Sequence, residues 1–174
     1  HTHMWKIFAP HMCSYETYKN TSNRRGDNVE ITGYPFTDSL IHADSKNNSA
    51  WKNNDKRLRL IWAPHHTIDS PELPYSNFLK YATFFRNLAI KYQDKIFWCF
   101  KPHPILRCKL ELDKNWGKLK TDEFYNFWDN SDFSQLNEGD YVNLFIESNA
   151  MIHDGGAFLA EYLHLNKPVL YVLA

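Results

Sequence analysis

Short apolar runs alternate with amphipathic stretches along this chain, which is the pattern of parallel strands joined by crossover helices. Strands are predicted at residues 5–8, 29–32, 57–62, 96–100, 150–153 and 168–174. Helices are predicted at 15–23, 76–92, 140–147 and 157–165, with helical pieces across 105–137. The order of elements indicates an α/β fold, a Rossmann-like parallel sheet with crossover helices.

Individual segments sharpen this outline. The nearly unbroken apolar run Ile96–Phe100 is typical of a strand covered on both faces. Ser76 is placed to cap the helix that follows it, and Asp140 is placed to cap another. Residues 43–56 are rich in Asn, Ser, Lys and Asp, which predicts an exposed loop. The aromatic stretch 124–128 could be core or a docking surface, and core is the favoured interpretation.

Length and charge limit the possible functions. A chain of 174 residues predicts a single domain over residues 1–174, and 43% apolar residues exclude a disordered tail. Twenty basic residues balance twenty acidic ones. Because non-specific nucleic-acid binding needs a strong basic excess, no nucleic-acid partner is expected.

The cysteines and the apolar runs predict a location. Cys13, Cys99 and Cys108 form neither a CxxC pair nor an even disulfide framework, which favours a reducing compartment. No apolar run reaches the roughly 20 residues that span a bilayer. We expect a cytoplasmic protein, peripheral to the inner face of the membrane if it works there. The strand-like ending at 168–174 also suggests a piece of a larger enzyme.

Three loops with chemical potential each follow a predicted strand. They are His65-His66, the stretch Lys101 to Pro104, and Asp154-Gly155-Gly156. In an open parallel sheet, ligands bind outside the carboxyl ends of the strands. We therefore expect these loops to meet at one edge of the sheet and to form a binding site.

The glycine turn suits an anionic ligand. Gly155 and Gly156 allow close approach of the backbone, and the start of the next helix offers free N–H groups to a phosphate. Because Asp154 would repel a phosphate, we expect it instead to orient loops or to hydrogen-bond backbone or hydroxyl groups. Glu161, in the following helix, could accept the ribose hydroxyls of a nucleotide, although a solvated helix residue is an equal alternative.

The histidine loops add acid–base chemistry. Two prolines hold His103 on a stiff loop, where an imidazole beside a phosphate can donate a hydrogen bond or a proton. Lys101 adds a point charge, and at most one of His65 and His66 is expected to reach the site. A zinc site built from the available histidines is the competing hypothesis; without HxxxH on a helix or paired cysteines, no metal is predicted. The available histidines are His1, His3, His11, His65 and His66.

Taken in order, these motifs resemble the CDP-glycerol glycerophosphotransferase family. The matching stretches are Trp62 to His66, Lys101 to Pro104, Met151 to Gly156, Glu161-Tyr162, Lys167 to Val169, and Ile31 to Pro35 followed by Asp38. Each motif is modest alone, and their order and spacing together are fairly specific. The resemblance covers the chain from about Trp5 to its end.

The resemblance implies a GT-B architecture, in which two Rossmann-like domains enclose the active site and this chain is the C-terminal, donor-binding half. Family members transfer glycerol phosphate or a related alditol phosphate from a CDP-linked donor to a polymer or lipid-linked acceptor, and release CMP. No cofactor or metal is implied. His103 matches the histidine thought to act at the donor phosphates, and Glu161 matches the acidic position assigned to the nucleotide. Asp154, Gly155 and Gly156 match the turn that cradles the phosphates.

Several positions depart from the family pattern. Glycines stand where two serines are usual, Lys101 replaces an arginine, and Pro64-His65-His66 replaces Pro-Thr-Trp-Arg. The family's presumed general base, a histidine in an N-terminal domain, has no counterpart here, so this chain alone is expected to bind nucleotide weakly and to turn nothing over. Two alternatives stay open: a GT-B glycosyltransferase that uses a nucleotide sugar for capsule or lipopolysaccharide, and a non-enzymatic sensor or scaffold.

Overall fold

The computed structural model describes residues 3–42, 49–52, 56–72 and 74–173. The chain groups into two compact units, residues 1–43 and residues 44–174. The prediction of a single domain over residues 1–174 therefore stays a prediction, and each unit is described by itself.

The first unit holds a two-stranded parallel sheet and two helices. Its elements are β1 (Ile7–Ala9), α1 (Met12–Thr21), β2 (Val29–Ile31) and α2 (Phe36–His42). Ile7 pairs with Val29 in the sheet. Helix α1 begins three residues earlier than predicted because the His11 side chain accepts the Ser14 amide at 3.2 Å and so caps the helix. Helix α2 was not predicted.

The second unit is a parallel α/β sheet, which confirms the predicted fold class. Its elements are β3 (Leu58–Ala63), α3 (Phe78–Lys91), β4 (Ile96–Phe100), α4 (Leu106–Leu112), α5 (Gly117–Asn130), β5 (Ser134–Leu136), α6 (Val142–Glu147), β6 (Ala150–His153), α7 (Ala157–Leu163) and β7 (Val169–Tyr171). The strand order is β5-β4-β3-β6-β7, and every neighbouring pair is parallel.

Strand β5 corrects the helical prediction for 105–137. Helices α4 and α5 fill most of that stretch, but Ser134–Leu136 pairs with β4 at the edge of the sheet. Ser134 and Gln135 are buried, and their side chains bond to backbone groups instead of packing as apolar ones. Buried polar side chains that are hydrogen-bonded in this way do not produce the apolar pattern from which a strand is predicted.

The predicted loop at 43–56 is described only in part, since residues 43–48 and 53–55 lie outside the described residues. Within the rest, Trp51 is buried and its indole N–H donates to the Leu144 carbonyl at 3.2 Å. The prediction of an exposed loop is therefore wrong at this position.

An aromatic core lies between the sheet and helices α3 and α5. Trp62 of β3 stacks on Phe78 with ring centroids 5.7 Å apart and contacts Phe100 at 5.1 Å. Phe124 and Trp128 of α5 close the cluster from the other side, with Tyr125 also buried. Core is therefore the correct interpretation of the aromatic stretch 124–128.

Two general features complete the fold. Cys13, Cys99 and Cys108 are all free thiols. Across the described ranges, no helix combines the length and the apolar character needed to cross a bilayer.

Candidate functional site

The site lies where the strand order of the second unit reverses. From β3 the chain proceeds outward to β4 and β5, then returns to place β6 and β7 on the other side of β3. Such a reversal leaves a crevice at the carboxyl ends of the two central strands, which is the usual ligand position in open α/β sheets. Trp62 pairs with Phe100, and Ala63 pairs with His153, so the three strands end at one level.

Backbone hydrogen bonds fix the loops that leave these strands. The His103 amide donates to the Pro64 carbonyl at 3.1 Å, which joins the loop after β4 to the loop after β3. Together with the bonds of Asp154 described next, this bond confirms the predicted convergence of the three loops, whereas the roles of their residues in binding or catalysis stay predictions.

Asp154 ties the third loop to the others. Its carboxylate accepts the His65 amide at 2.6 Å and the Asn77 amide at 2.7 Å. Burial raises the pKa of Asp154 to about 6, although the two amide donors pull that pKa back toward its ordinary value. Asp154 therefore holds the loop after β3 and the start of α3 together, the loop-orienting work expected from the sequence.

Three imidazole rings lie together at the mouth of the crevice, and His65, His66 and His103 are called the histidine rim below. The ring centroids of His66 and His103 are 4.1 Å apart, those of His65 and His66 are 4.3 Å apart, and those of His65 and His103 are 5.3 Å apart. All three rings are partly exposed. His65 also contacts Thr67, whose hydroxyl lies 3.0 Å from its Nδ1. The sequence expected at most one of His65 and His66 here, and the structure places both beside His103.

The environment favours neutral rings at the rim. Burial lowers the pKa of His65, His66 and His103, in the case of His66 to about 4. Repulsion from His103 lowers the pKa of the other two further. The Nδ1 of His103 accepts the Ile105 amide at 3.2 Å, so the proton of its neutral ring sits on Nε2.

Behind the rim is a pocket of about 410 Å³, part of it open to solvent. It is lined by Ala63, Pro64, His65, His103, His153, Gly155, Ala157 and Phe158. Gly155 lies so close to His65 that a Cβ there would be 2.8 Å from the ring carbon Cδ2. The missing side chain is therefore what lets the His65 ring cover this part of the pocket.

Among the polar residues of the pocket wall, sequence reasoning gave no role to His153. It is 1% exposed, and its ring packs edge-on against Tyr171 with centroids 5.2 Å apart. Burial lowers its pKa to about 4, so the ring is neutral near pH 7. In the sequence, His153 stands at the end of β6 within the family-like stretch Met151 to Gly156, but a strand-end histidine alone does not indicate a site.

Five predicted residues do not line this pocket: His66 and Asp154, described above, and Lys101, Glu161 and Gly156. Lys101 is buried, with its ammonium group donating to the Gly139 carbonyl at 2.8 Å, and burial lowers its pKa. Glu161 is buried in α7. Gly156 is exposed, and a Cβ at this position would meet no atom within 4 Å. Their assignments to the donor stay predictions.

The histidine cluster is the metal-ligand arrangement found among the described residues. Ligand atoms of His65, His66 and His103 all lie within 4.8 Å of one another. A tetrahedral zinc ion holds its nitrogen ligands about 3.3 Å apart. The two Nδ1 atoms of His65 and His66 meet that spacing at 3.3 Å, and His103 could offer only Nε2, because its Nδ1 accepts the Ile105 amide.

Two solved structures with a similar fold are complexes with a uridine nucleotide or a nucleotide sugar. One is the UDP complex of MnaA from S. aureus, with a TM-score of 0.63 and 20% identity over 98% of this chain. Another is UDP-GlcNAc 2-epimerase from Neisseria meningitidis bound to UDP-GlcNAc, with a TM-score of 0.57 and 18% identity over 96% of this chain. This chain spans 43% of the length of each structure. At such identities the likeness shows the fold alone.

Sequence comparison identifies the family. No curated protein matches this chain significantly. The family model of CDP-Glycerol:Poly(glycerophosphate) glycerophosphotransferase matches residues 2–174, which is nearly the whole length. The chain, with its crevice at the strand reversal and its histidine rim, therefore belongs to the CDP-glycerol:poly(glycerophosphate) glycerophosphotransferase family.

Proposed function

We propose that this chain is the donor-binding domain of a transferase that moves glycerol phosphate, or another alditol phosphate, from a CDP-linked donor to an acceptor. The observation that carries the proposal is the position of His103, on a proline-stiffened loop at the mouth of a pocket, in a chain that matches the family from residue 2 to residue 174. The acceptor would be a cell-surface polymer of the teichoic-acid type or a lipid-linked precursor.

The proposed reaction is a phosphoryl-group displacement. An acceptor hydroxyl oxygen forms a bond to the phosphorus that carries the glycerol, and the bond from that phosphorus to the bridging oxygen breaks. CMP leaves with the electron pair of that bond, and the hydroxyl proton passes to a base. Negative charge grows on the departing oxygen, so a donor aimed at that oxygen would lower the barrier.

His103 has the chemistry for that position. Its neutral ring carries the proton on Nε2, since Nδ1 accepts the Ile105 amide. An N–H group can donate to a phosphate oxygen without first being protonated. Removing one such donor typically costs about 100-fold to 1,000-fold in kcat.

The other predicted residues would bind the donor around His103. The Gly155-Gly156 backbone would approach the pyrophosphate, and Glu161 would accept the ribose hydroxyls. Lys101 could reach the phosphates only by releasing the Gly139 carbonyl. We propose that the base lies in a part of the enzyme outside these 174 residues, and that the enzyme works at the cytoplasmic face of the membrane.

Titration calorimetry of the protein at its natural length, with CDP-glycerol, CDP and UDP, tests the proposal. We expect heat with the cytidine nucleotides and a weaker response to UDP. Replacement of His103 by alanine should abolish most transfer activity, whereas His164→Ala, on the surface of the second unit, should not. Absence of binding to every nucleotide, or full activity of His103→Ala, would refute the assignment; the second result would favour a scaffold domain.

A nucleotide-sugar glycosyltransferase of capsule or lipopolysaccharide synthesis is the second candidate. The observation in its favour is the fold shared with structures that bind UDP and UDP-GlcNAc. Tighter binding of UDP-sugars than of CDP-glycerol in the same titration would select it.

A further inference from the structure

His153 has unused hydrogen-bonding capacity. Its ring is 1% exposed, and neither Nδ1 nor Nε2 has a hydrogen-bond partner in the described part of the chain. The Gly155 backbone raises the pKa of His153 slightly against the effect of burial, but it does not meet the geometry of a hydrogen bond to either ring nitrogen. A buried polar group without a partner destabilises a fold, so such groups call for a specific explanation. Because His153 lines the pocket, a ligand can supply the missing partner.

The pocket around His153 suits an uncharged ligand group. Its remaining walls are apolar, formed by Ala63, Pro64, Ala157 and Phe158, apart from the histidines and Gly155. No lysine or arginine lines it among the described residues. A diphosphate would find no counter-charge at this depth, whereas the partly exposed rim at His66 and His103 can face solvent and phosphates together.

We propose that His153 determines donor specificity by pairing with a hydroxyl group of the small polyol that the nucleotide donor carries. The inference rests on the proposed function, because it presumes that the donor phosphates lie at the histidine rim. The polyol then extends inward, with its carbon skeleton against the apolar walls and a hydroxyl at the imidazole.

The protonation state of the ring selects a hydroxyl. A neutral imidazole offers one N–H donor and one acceptor nitrogen, and a hydroxyl both accepts and donates. The two nitrogens lie on opposite edges of the ring, so a hydroxyl can pair with whichever of them faces the pocket, as donor or as acceptor. A phosphate oxygen can only accept, so it could pair with the N–H alone. A charged ammonium group would demand desolvation that this pocket does not repay.

Two substitutions in the natural-length protein test the proposal. His153→Phe keeps an aromatic ring but removes both nitrogens, and His153→Gln keeps a donor and an acceptor. We expect wild type to bind CDP-glycerol more tightly than CDP. His153→Phe should lose about tenfold in affinity for CDP-glycerol and nothing for CDP, and His153→Gln should recover part of the loss. His164→Gln is the matched surface control.

Each outcome decides a different point. Wild type that binds no nucleotide would overturn the proposed function itself. Wild type that binds CDP and CDP-glycerol equally, or a His153→Phe protein weakened equally toward both, would overturn the role of His153 and leave the proposed function standing. If His153→Phe does not fold, ¹⁵N imidazole shifts of wild type decide: His153 must respond to CDP-glycerol and not to CDP.

Discussion

The contact between Gly155 and His65 leads to a quantitative prediction. Neither glycine of the turn has a positive φ, so alanine is compatible with the backbone at both positions. In Gly155→Ala the new Cβ would lie 2.8 Å from Cδ2 of His65, 3.4 Å from its Cγ and 3.5 Å from its Cβ. The ring would have to recede by about 0.6 Å to reach ordinary contact. In Gly156→Ala the methyl group meets nothing within 4 Å.

Movement of the ring would break several contacts. The Nδ1 of His65 lies 3.0 Å from the Thr67 hydroxyl, and the ring packs edge-on against Tyr75 with centroids 5.9 Å apart. Overpacking of this kind costs about 1–3 kcal/mol. For a protein of this size, each kcal/mol lowers Tm by about 2–4 °C. We therefore expect Gly155→Ala to lower Tm by several degrees and Gly156→Ala to leave it unchanged.

Calorimetry on four proteins isolates the contact: wild type, Gly155→Ala, His65→Ala and the double variant. Removal of the His65 ring should relieve the overlap, so the double variant should be more stable than the sum of the single effects predicts, by about 1 kcal/mol or more. If Gly155→Ala is no less stable than Gly156→Ala, or if the two single effects simply add, the overlap does not exist in solution and the reasoning is wrong.

Three further predictions concern the titration of His153 and Asp154 and the binding of a metal ion. Because the folded-state pKa of His153 is lowered to about 4, the stability that its neutral ring contributes is present above pH 6.5 and is lost as pH falls toward 4. Between pH 7 and pH 5, urea unfolding should show that wild type loses about 2 kcal/mol of unfolding free energy relative to His153→Gln. Parallel pH profiles of the two proteins would contradict this. The pKa of Asp154 is instead raised from 3.8 to about 6, so its contribution to folding stability falls as pH rises from about 3.8 to 6. The Asp154→Asn protein should lose this pH dependence. It should also be destabilised by about 1–3 kcal/mol, because one of the two amides loses its acceptor. Dialysis against EDTA should leave CDP-glycerol affinity in calorimetry unchanged, and a loss that Zn²⁺ restores would show that His65, His66 and His103 hold a metal.

The parts of the fold that the sequence predicted well are those with a strong apolar signal. Strands Ile96–Phe100 and Ala150–His153 have the predicted bounds, because continuous apolar runs leave little freedom in register. Strand Ser134–Leu136 was missed because it lies at the sheet edge and is held by polar side chains. Helix Phe36–His42 was missed because a short helix after Pro35 has too few turns to show a period.

The site was predictable as a place but not as an arrangement of side chains. Parallel strands must end together, so the meeting of the loops after β3, β4 and β6 follows from topology alone. The direction of a long side chain does not follow from topology. Lys101, for example, points to the Gly139 carbonyl rather than into the pocket. The burial of His153 was equally hidden, because it depends on Tyr171 from a strand that comes later in the chain.

The bonds that join the three loops have a consequence for kinetics. The His103 amide on the Pro64 carbonyl, and the Asp154 carboxylate on the His65 and Asn77 amides, hold the rim in one shape before any nucleotide arrives. Preorganisation of this kind spares a ligand the entropy of ordering the loops. If the proposed function is correct, nucleotide should therefore associate with this site in one fast phase, without a slow isomerisation of these loops.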